Sequence, residues 1–194
     1  MKHQMKNQVK NQLRIIGGIH KRRQLAFANI DGLRPTPDRL RETLFNWLMW
    51  DINGATVLDL CAGSGALAFE ALSRGAKSVC MIEPNLEQVK FLKQNLALLN
   101  IENAKVYAST AQQALAKINE SFDLLFLDPP YSLNLWQELS QLADEKLNEN
   151  AFIYVEADRS LESLNLPKTW QQIKYAKVGI IHAGLYQKLS PSTL

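Results

Sequence analysis

Hydrophobic and polar positions follow two patterns along most of the chain. From residue 55 onward, short apolar runs typical of buried strands are separated by segments whose apolar residues recur every three or four positions, as in helices. The runs predict strands at residues 56–60, 78–82, 105–107, 124–127 and 152–156, and the periodic segments predict helices at residues 65–73, 84–99, 111–118 and 134–147. This alternation favours a mostly parallel sheet. Because residues 173–178 and 180–188 predict a final antiparallel pair, we expect a doubly wound α/β domain with a seven-stranded sheet.

The first part of the chain has a different pattern. Residues 13–19 and 24–28 predict two short strands around a basic turn, and therefore a small β-hairpin. Thr36 before Pro37 predicts the N-cap of a helix that runs to about residue 50. We accordingly divide the chain into residues 1–32, a basic N-terminal arm with the hairpin, and residues 33–194, the α/β domain.

Composition and length are those of an ordinary globular protein. The chain has 194 residues, 46% hydrophobic and 21% charged, which suffices for one domain with a substantial core. No apolar run approaches the roughly 20 residues of a transmembrane helix, and the polar start lacks the apolar core of a signal peptide. Two cysteines and three scattered histidines form neither a disulfide framework nor a metal pattern. These features predict a cytoplasmic protein that uses no metal and no membrane.

Positive charge is concentrated near the start of the chain. Residues 1–41 contain ten Lys or Arg against two Asp, a net charge of +8 in a chain whose total is +3, so the remainder carries −5. A basic segment on an acidic body is typical of a polyanion-binding arm, although a solvated tail has the same composition. The candidate phosphate contacts are Arg14, Lys21, Arg22, Arg23, Arg39 and Arg41. For the last two, ion pairing with Asp38 or Glu42 on the helix surface is the alternative.

The segment after residues 124–127 is the most distinctive in the chain. It is Asp128-Pro129-Pro130-Tyr131, in which the prolines fix φ and lack N–H groups, and Asp128 is held extended by the proline that follows it. We expect a stiff loop at the carboxyl end of a central strand, where open α/β sheets bind ligands. Its carboxylate, free carbonyls and aromatic ring suit a planar ligand that donates hydrogen bonds, such as the amino edge of a nucleobase. The same residues are also compatible with a plain Pro-Pro turn.

A second candidate site follows the strand at residues 56–60. Asp59 precedes a loop containing Gly63 and Gly65, glycines that permit tight turns and close approach of a ligand. Glu83 ends the next strand, where an acid can bind a ribose hydroxyl pair. The spacing also fits a dinucleotide fingerprint, but Asp59 would repel a pyrophosphate. Asp59 would attract the sulfonium and ammonium groups of S-adenosylmethionine, so the loop favours that cofactor. The alternative is that Asp59 is a strand-end acid bonded to loop amides.

Together these motifs resemble the class I S-adenosylmethionine-dependent methyltransferases, and more closely the RsmD family of 16S ribosomal RNA guanine-N2 methyltransferases. The resemblance extends over about residues 13–190 and is most family-specific at residues 34–46. The other matching segments are residues 14–18, 59–67, 70–74, 128–131 and 154–156. The resemblance implies methyl transfer to the exocyclic N2 of one guanine, conventionally numbered 966, in the 16S rRNA of the small ribosomal subunit or its assembly intermediate. We expect a monomeric enzyme.

Roles within the site follow from these motifs and the resemblance. We assign acceptance of hydrogen bonds from the guanine amine to the Asp128 carboxylate and the Pro129 carbonyl, in the loop stiffened by Pro130, and stacking on the unstacked base to Tyr131. The residues expected to bind the cofactor surround the glycine loop, the ends of the next two strands and the start of the first helix. They are Asp59, Cys61, Ala62, Gly63, Gly65, Glu83, Pro84, Ser109, Thr110, Ala111 and Thr36.

Two segments depart from the family pattern. The family's basic turn usually has a glycine between two basic residues, whereas Arg22 stands there between Lys21 and Arg23, which keeps the charge and leaves the turn geometry open. After the third parallel strand many methyltransferases place an acid that contacts the adenine amine, whereas this chain has Ser109 and Thr110. Backbone groups or a hydroxyl would therefore hold the adenine.

Three rival functions remain open at this point. An NAD-dependent oxidoreductase fits the glycine spacing but not the charge of Asp59. A catalytically silent RNA-binding module would have no use for the loop that begins at Asp128. A methyltransferase acting on adenine N6 or protein glutamine would use a similar loop, and residues 34–46 favour ribosomal RNA over both.

Overall fold

The computed structural model describes residues 11–30, 33 and 35–189. Its strands are β1 (Asn11–Arg14), β2 (Gln24–Phe27), β3 (Thr56–Asp59), β4 (Ser78–Ile82), β5 (Ala104–Tyr107), β6 (Phe122–Leu127), β7 (Leu147–Ala157), β8 (Trp170–Val178) and β9 (Ile181–Lys188). Its helices are α1 (Asp38–Trp47), α2 (Ala66–Ser73), α3 (Leu86–Leu98), α4 (Ala111–Leu115) and α5 (Trp136–Asp144). Single turns of 3-10 helix lie at Tyr131–Leu133 and Leu161–Leu164.

Seven strands form one sheet in the order β5-β4-β3-β6-β7-β9-β8. The pairs from β5 to β7 are parallel, and β9 runs antiparallel to both β7 and β8. The strand order reverses at β3, so the crevice at the carboxyl ends of β3 and β6 is the topological switch point at which such sheets bind ligands. The predicted doubly wound, seven-stranded fold is confirmed, and β1 and β2 form the predicted separate hairpin.

The central strands are buried on both faces, which explains their continuous apolar runs. In β3, Val57 belongs to the cluster beneath α1 and α2, whereas Leu58 belongs to the cluster beneath α4 and α5. In β6, Phe126 and Leu127 divide between the clusters in the same way. Alternation of side chains along a strand therefore supplies both layers, and the carboxyl ends of these strands have little freedom to move.

The predicted N-cap of the first helix was wrong. The N-cap residue of α1 is Pro37, and it makes no side-chain capping hydrogen bond. Thr36 is buried beside Glu156, and its hydroxyl is among the groups that oppose the rise in the pKa of that carboxyl group. The helix also ends at Trp47 rather than at residue 50. Thr36 therefore has a partner in the site rather than in the helix.

Other boundaries differ where a backbone residue takes an unusual conformation or another partner. β1 ends at Arg14 rather than at residue 19 because the following loop binds to α2. Asn134 has a φ of 50° and ends the Tyr131–Leu133 turn, so the helix predicted from residue 134 begins only at Trp136. Left-handed residues of this kind interrupt a helix even where the apolar periodicity continues.

A buried carboxylate fastens the hairpin loop to α2. Glu70 is fully buried and accepts hydrogen bonds from the backbone N–H groups of Ile16 and Gly17, both at 2.8 Å. The Nε of Arg74 donates to the same carboxylate at 2.7 Å, and Nη1 of Arg41 lies 3.8 Å from it. The 70–74 segment of the family resemblance thus has a structural explanation, because it holds the hairpin on the domain.

The basic turn lies at the amino-terminal edge of the sheet, away from the switch point. His20 donates its backbone N–H to the Ser73 hydroxyl at the end of α2, and Arg23 donates to the Leu98 carbonyl at the end of α3. Since α3 has 13 residues, the turn is about 20 Å from the carboxyl edge. Arg22 has a φ of 71°, the left-handed conformation that glycine adopts most easily, at the position where the family usually has glycine.

Some predicted features lie outside the described residues. They are the first ten residues, with Lys2, Lys6 and Lys10, and Arg34 in the family-specific block. The division of the chain at residue 32 stays a prediction. Within the described ranges, every helix is too short or too polar to span a lipid bilayer.

Replacing Glu70 with Gln tests the anchor of the hairpin. We expect Glu70→Gln to lower the free energy of unfolding by about 3 kcal/mol, because one partner of a buried ionic cluster is removed while Arg41 and Arg74 remain. Urea denaturation measures the change. Glu42→Gln, on the exposed face of α1, is the matched control, and a Glu70→Gln variant as stable as that control would contradict the anchoring role.

Candidate active site

Four loops or strand ends meet at the carboxyl edge of the sheet. They belong to the carboxyl ends of β3, β4, β6 and β7 and carry Asp59, Glu83, Asp128 and Glu156, respectively. Parallel pairing aligns the ends of β4, β3, β6 and β7, so these four acids share one edge although they are distant in sequence. The structure therefore brings together the two sites predicted from the sequence, and it adds Glu156 to them.

The loop after β3 is closed around the Glu83 carboxylate. Glu83 accepts hydrogen bonds from the backbone N–H of Gly63 at 3.0 Å and from that of Asn85 at 2.8 Å. Gly63 and Gly65 have φ angles of 51° and 80°, so both positions require glycine or pay a conformational cost. Ala62 donates to the Ile82 carbonyl. The two strand ends thus form one rigid concave backbone surface.

Burial and mutual repulsion shift the protonation equilibria of these acids. Burial, with a contribution from the charge of Glu83, raises the pKa of Asp59 to about 7, although hydrogen bonds from loop amides oppose the shift. Burial and the charges of Glu156 and Asp59 raise the pKa of Asp128 well above its usual range. Burial raises the pKa of Glu156 as well. A bound cation would favour the charged form of each of these carboxyl groups, so the edge is suited to binding a cation.

The Asp-Pro-Pro-Tyr loop leaves β6 directly at the switch point. Asp128 and Tyr131 are half-buried, Pro129 is buried and Pro130 is exposed. The ring of Tyr131 lies 5.9 Å from that of Trp136, centroid to centroid and inclined by 31°. The loop is therefore braced on one side by the start of α5, and Asp128 is the first residue after β6.

Glu156 is an acid of this edge that the sequence motifs alone did not place in the candidate site. It is 2% exposed and accepts hydrogen bonds from the hydroxyls of Tyr131 at 3.0 Å and Tyr154 at 2.8 Å. Its backbone carbonyl accepts a hydrogen bond from Trp136 Nε1 at 2.8 Å. The sequence signal that could have identified Glu156 is its position as an acid near the end of an apolar strand, in residues 154–156. Glu156 thus fixes the Tyr131 ring relative to the sheet.

The segment after β5 contains one free hydroxyl. Thr110 is the N-cap of α4 and accepts a hydrogen bond from the Gln113 N–H, so its side chain is already engaged, and Ala111 is buried in that helix. The Ser109 hydroxyl is buried without a hydrogen-bond partner in the structure. An unpaired buried hydroxyl is unfavourable, and Ser109 therefore fits a ligand with a hydrogen-bonding edge.

The remaining predicted cofactor residues line the same edge with different exposures. Ala62 is buried, Cys61 is half-buried, and Pro84 is exposed at the start of the α3 segment. Burial, followed by the charge of Asp59, raises the pKa of the Cys61 thiol well above its usual range. Because a protonated thiol is a poor nucleophile, Cys61 is suited to packing beside a ligand rather than to covalent chemistry.

Arg41 is not available as the predicted phosphate contact. It is 1% exposed, and its guanidinium donates to the Arg14 carbonyl at 3.0 Å and to Asp38 at 2.5 Å. The ion pair with Asp38 was the alternative considered for this residue. Arg39 is exposed in the first turn of α1, and Arg14 is largely exposed while it pairs with Asp38. The candidate contacts therefore divide between the two edges of the sheet.

The fold and site together define a class of enzyme. A doubly wound sheet with a glycine loop after its first parallel strand, an acid after its second and an acceptor loop after its fourth is the arrangement of a class I methyltransferase. Residues 13–187 match the family model described as "Conserved hypothetical protein 95". The chain belongs to that family, which is also the family of ribosomal RNA small subunit methyltransferase D.

Known proteins of this family are similar over almost their whole length. The ribosomal RNA small subunit methyltransferase D of Haemophilus influenzae is 42% identical over 184 residues, which cover 92% of this chain and 95% of that protein. The Escherichia coli protein of the same name is 40% identical, with coverages of 91% and 90%. A solved structure of a proposed methyltransferase from Escherichia coli is 37% identical, covers 93% of this chain and 99% of its own, and superposes with a TM-score of 0.84.

The raised pKa of Asp59 predicts a pH-dependent stability. The folded protein binds this proton more tightly than the unfolded chain, so stability falls as pH rises from the ordinary value of 3.8 to about 7. We expect Asp59→Asn, which stays neutral, to be more stable than the parent by up to about 4 kcal/mol at pH 8 and by less than half of that at pH 5. Thermal unfolding at the two pH values measures the gain. Asp51→Asn, at an exposed position, is the control, and an equal gain for Asp59→Asn at both pH values would contradict the assignment.

Proposed function

We propose that the protein transfers a methyl group from S-adenosylmethionine to the exocyclic N2 of a guanine in the 16S rRNA of the small ribosomal subunit or its assembly intermediate. The observation that carries this proposal is the stiff loop from Asp128 to Tyr131, which is fixed by Glu156 beside the buried carboxyl groups. The names of the Haemophilus influenzae and Escherichia coli relatives support the ribosomal substrate. The proposal places a monomeric enzyme in the cytoplasm, with guanine 966 as the target implied by the family resemblance.

The residues present fit S-adenosylmethionine, which supplies an electrophilic methyl group on a sulfonium when bound. Asp59 would bind its cationic part and Glu83 its hydroxyl-bearing part, around Gly63. The unpaired hydroxyl of Ser109 would accept or donate a hydrogen bond at the adenine edge. The buried carboxyl group of Asp59 is the main support, because burial raises its pKa to about 7 and a bound cation would favour its charged form. A pyrophosphate would disfavour that charged form.

Asp128 and Pro129 act on the amine of the substrate. The lone pair of a guanine amine is conjugated into the ring, which makes this nitrogen a poor nucleophile. Hydrogen bonds from the N–H2 group to the Asp128 carboxylate and the Pro129 carbonyl favour a more tetrahedral nitrogen with its lone pair directed at the methyl group. Positioning of this kind supplies much of the rate acceleration in group transfer.

Tyr131 and Glu156 position the base. The target guanine has to leave its stack, which costs a few kcal/mol, and stacking on the Tyr131 ring offsets part of that cost. The hydrogen bond from Tyr131 to Glu156 holds the ring in one orientation, and the contact with Trp136 supports its inner side. Glu156 is a positioning residue in this scheme, because it acts through Tyr131.

Replacing Asp128 tests both the function and the role of the loop. We expect the parent protein to methylate small subunits from cells that lack such an enzyme, with labelled S-adenosylmethionine as donor and the label mapped to one guanine N2. Asp128→Ala should reduce turnover at least a hundredfold, because the acceptor for the amine is lost, while the cofactor dissociation constant stays within a few-fold of the parent value.

The controls separate the proposal from its alternatives. Asp51→Asn, at the amino-terminal edge, should be as active as the parent. If the label is found on adenine N6, or on a protein glutamine in the same particles, that group rather than guanine N2 is the substrate. Near-normal methylation by Asp128→Ala would remove the proposed role of this carboxylate.

Removing the charge of the basic turn tests its contact with RNA. We expect Lys21→Ala, Arg22→Gly and Arg23→Ala in one protein to weaken binding to small-subunit RNA and to lower the slope of log K against log salt by about 2 to 3, because up to three phosphate contacts are lost. Glycine is chosen at Arg22 because its φ is 71°. Filter binding at several salt concentrations measures the slope.

A matched reduction of charge elsewhere serves as the control. Lys117, Lys146 and Lys168 carry the same total charge on other parts of the domain, and alanine at all three changes the net charge equally. If both triple variants have the slope of the parent protein, the turn is a solvated loop and does not contact RNA.

A further inference from the structure

The β8–β9 hairpin reaches the edge of the sheet at which the site lies. A two-residue turn at Gly179 and Ile180 joins the strands, and His182 at the start of β9 pairs with Ala157 at the carboxyl end of β7. Since β9 runs antiparallel to β7, the turn of this hairpin is at the carboxyl edge. The proposed function gives no role to this part of the chain, although it lies beside the reacting loop.

An exposed aromatic pair occupies one face of the hairpin near its turn. The hydroxyl of Tyr175 and Nδ1 of His182 are hydrogen-bonded at 2.8 Å, and their ring centroids are 6.0 Å apart at an angle of 56°. Tyr175 is 48% exposed. The hydrogen bond restrains both rings without covering them, so the pair offers a rigid π surface to a partner.

The hairpin is positively charged in a region where the rest of the edge is acidic. Residues 170–188 contain neither Asp nor Glu and three lysines, of which Lys174 and Lys177 are exposed near the turn, whereas Lys188 lies at the far end of β9 and pairs with Asp144. Lys177 is exposed and pairs across the strands with His182, so a cation lies beside the aromatic pair. Aromatic rings flanked by cations are the combination with which proteins bind single-stranded nucleic acid.

The aromatic pair and the reacting loop lie on the same face of the sheet. Tyr175 is opposite Gly184, which pairs with Val155, and Val155 belongs to the same core cluster as Trp136, against which Tyr131 packs. Three strand spacings separate β8, which carries Tyr175, from β6, a distance of about 14 Å, and His182 on β9 is one spacing nearer. A nucleotide that flanks the target in an extended RNA strand can therefore reach this surface.

We propose that Tyr175 and His182 form a stacking platform for a nucleotide that flanks the target guanine, with Lys177 in contact with its phosphate. The inference rests on the proposed RNA methyltransferase function and deepens it. A flanking base held on the platform fixes the strand while the target base is out of its stack. The basic turn at Lys21–Arg23 is at the opposite edge, so the two surfaces contact separate parts of the RNA.

Steady-state methylation of small subunits from cells lacking the enzyme tests the platform. We expect Tyr175→Ala to raise the KM for the subunit about tenfold with kcat within twofold of the parent, because one base–aromatic stack is lost. Tyr175→Phe should have a KM close to that of the parent, since it keeps the ring. Lys177→Ala should raise the KM a few-fold and lower its dependence on salt.

The controls distinguish failure of the platform from failure of the function. Trp50 is 84% exposed and follows α1 at the amino-terminal edge, so Trp50→Ala removes an exposed aromatic ring without touching the platform and should leave the KM unchanged. The cofactor dissociation constant should be the same in all variants. Parental KM values for both Tyr175→Ala and Lys177→Ala would overturn the platform and leave the methyltransferase proposal intact. Absence of methylation by the parent protein would overturn the proposed function, and the platform with it.

Discussion

Burial of carboxyl groups at one edge of the sheet is the constraint on which the site depends. Asp59, Asp128 and Glu156 come from three different strand ends, and burial raises the pKa of each, with the charges of Glu156 and Asp59 adding to the shift at Asp128. The protein tolerates this unfavourable arrangement because its stable core is elsewhere, in two apolar layers that fix the strand ends. The buried acids lower the folding stability of the protein, and their electrostatic field favours binding of a cation over binding of a phosphate. The choice between a methyl donor and a dinucleotide follows from that field rather than from the glycine loop.

Two buried glutamates illustrate how different partners serve different purposes. Glu70 is surrounded by donors that carry positive charge or belong to the backbone, namely Arg74, Ile16 and Gly17, and it attaches the hairpin loop to α2. Glu156 is held by the hydroxyls of Tyr131 and Tyr154, which satisfy its oxygens without neutralising its charge. The first carboxylate is an anchor. The second keeps its electrostatic effect on the site while it orients an aromatic ring.

Positive charge is placed at both edges of the sheet, at some distance from the buried acids. The turn at Lys21–Arg23 is about 20 Å from the carboxyl edge by the length of α3, whereas Arg39 and the β8–β9 hairpin are close to that edge. A substrate that contacts all of these surfaces has to be larger than a single nucleotide or a short stem. This separation agrees with a folded ribosomal RNA as substrate, because only an extended polyanion can reach both edges at once. It also keeps cations away from Asp59, where they would compete with the cofactor.

The sequence by itself determined the order of strands and helices, the position of the glycine loop and the stiffness of the Asp128 loop. These features depend on local causes: continuous apolar runs that require burial on both faces, and prolines that fix φ. Only the tertiary structure decided the roles of Thr36, Arg41 and Glu156, because each depends on partners remote in the chain. Thr36 is a residue type that often caps helices, yet its hydroxyl acts on the pKa of Glu156 instead. Arg41 is of a residue type that often contacts phosphate, yet it is buried against Arg14 and Asp38. Periodicity shows which side chains can be buried, but packing alone selects their partners.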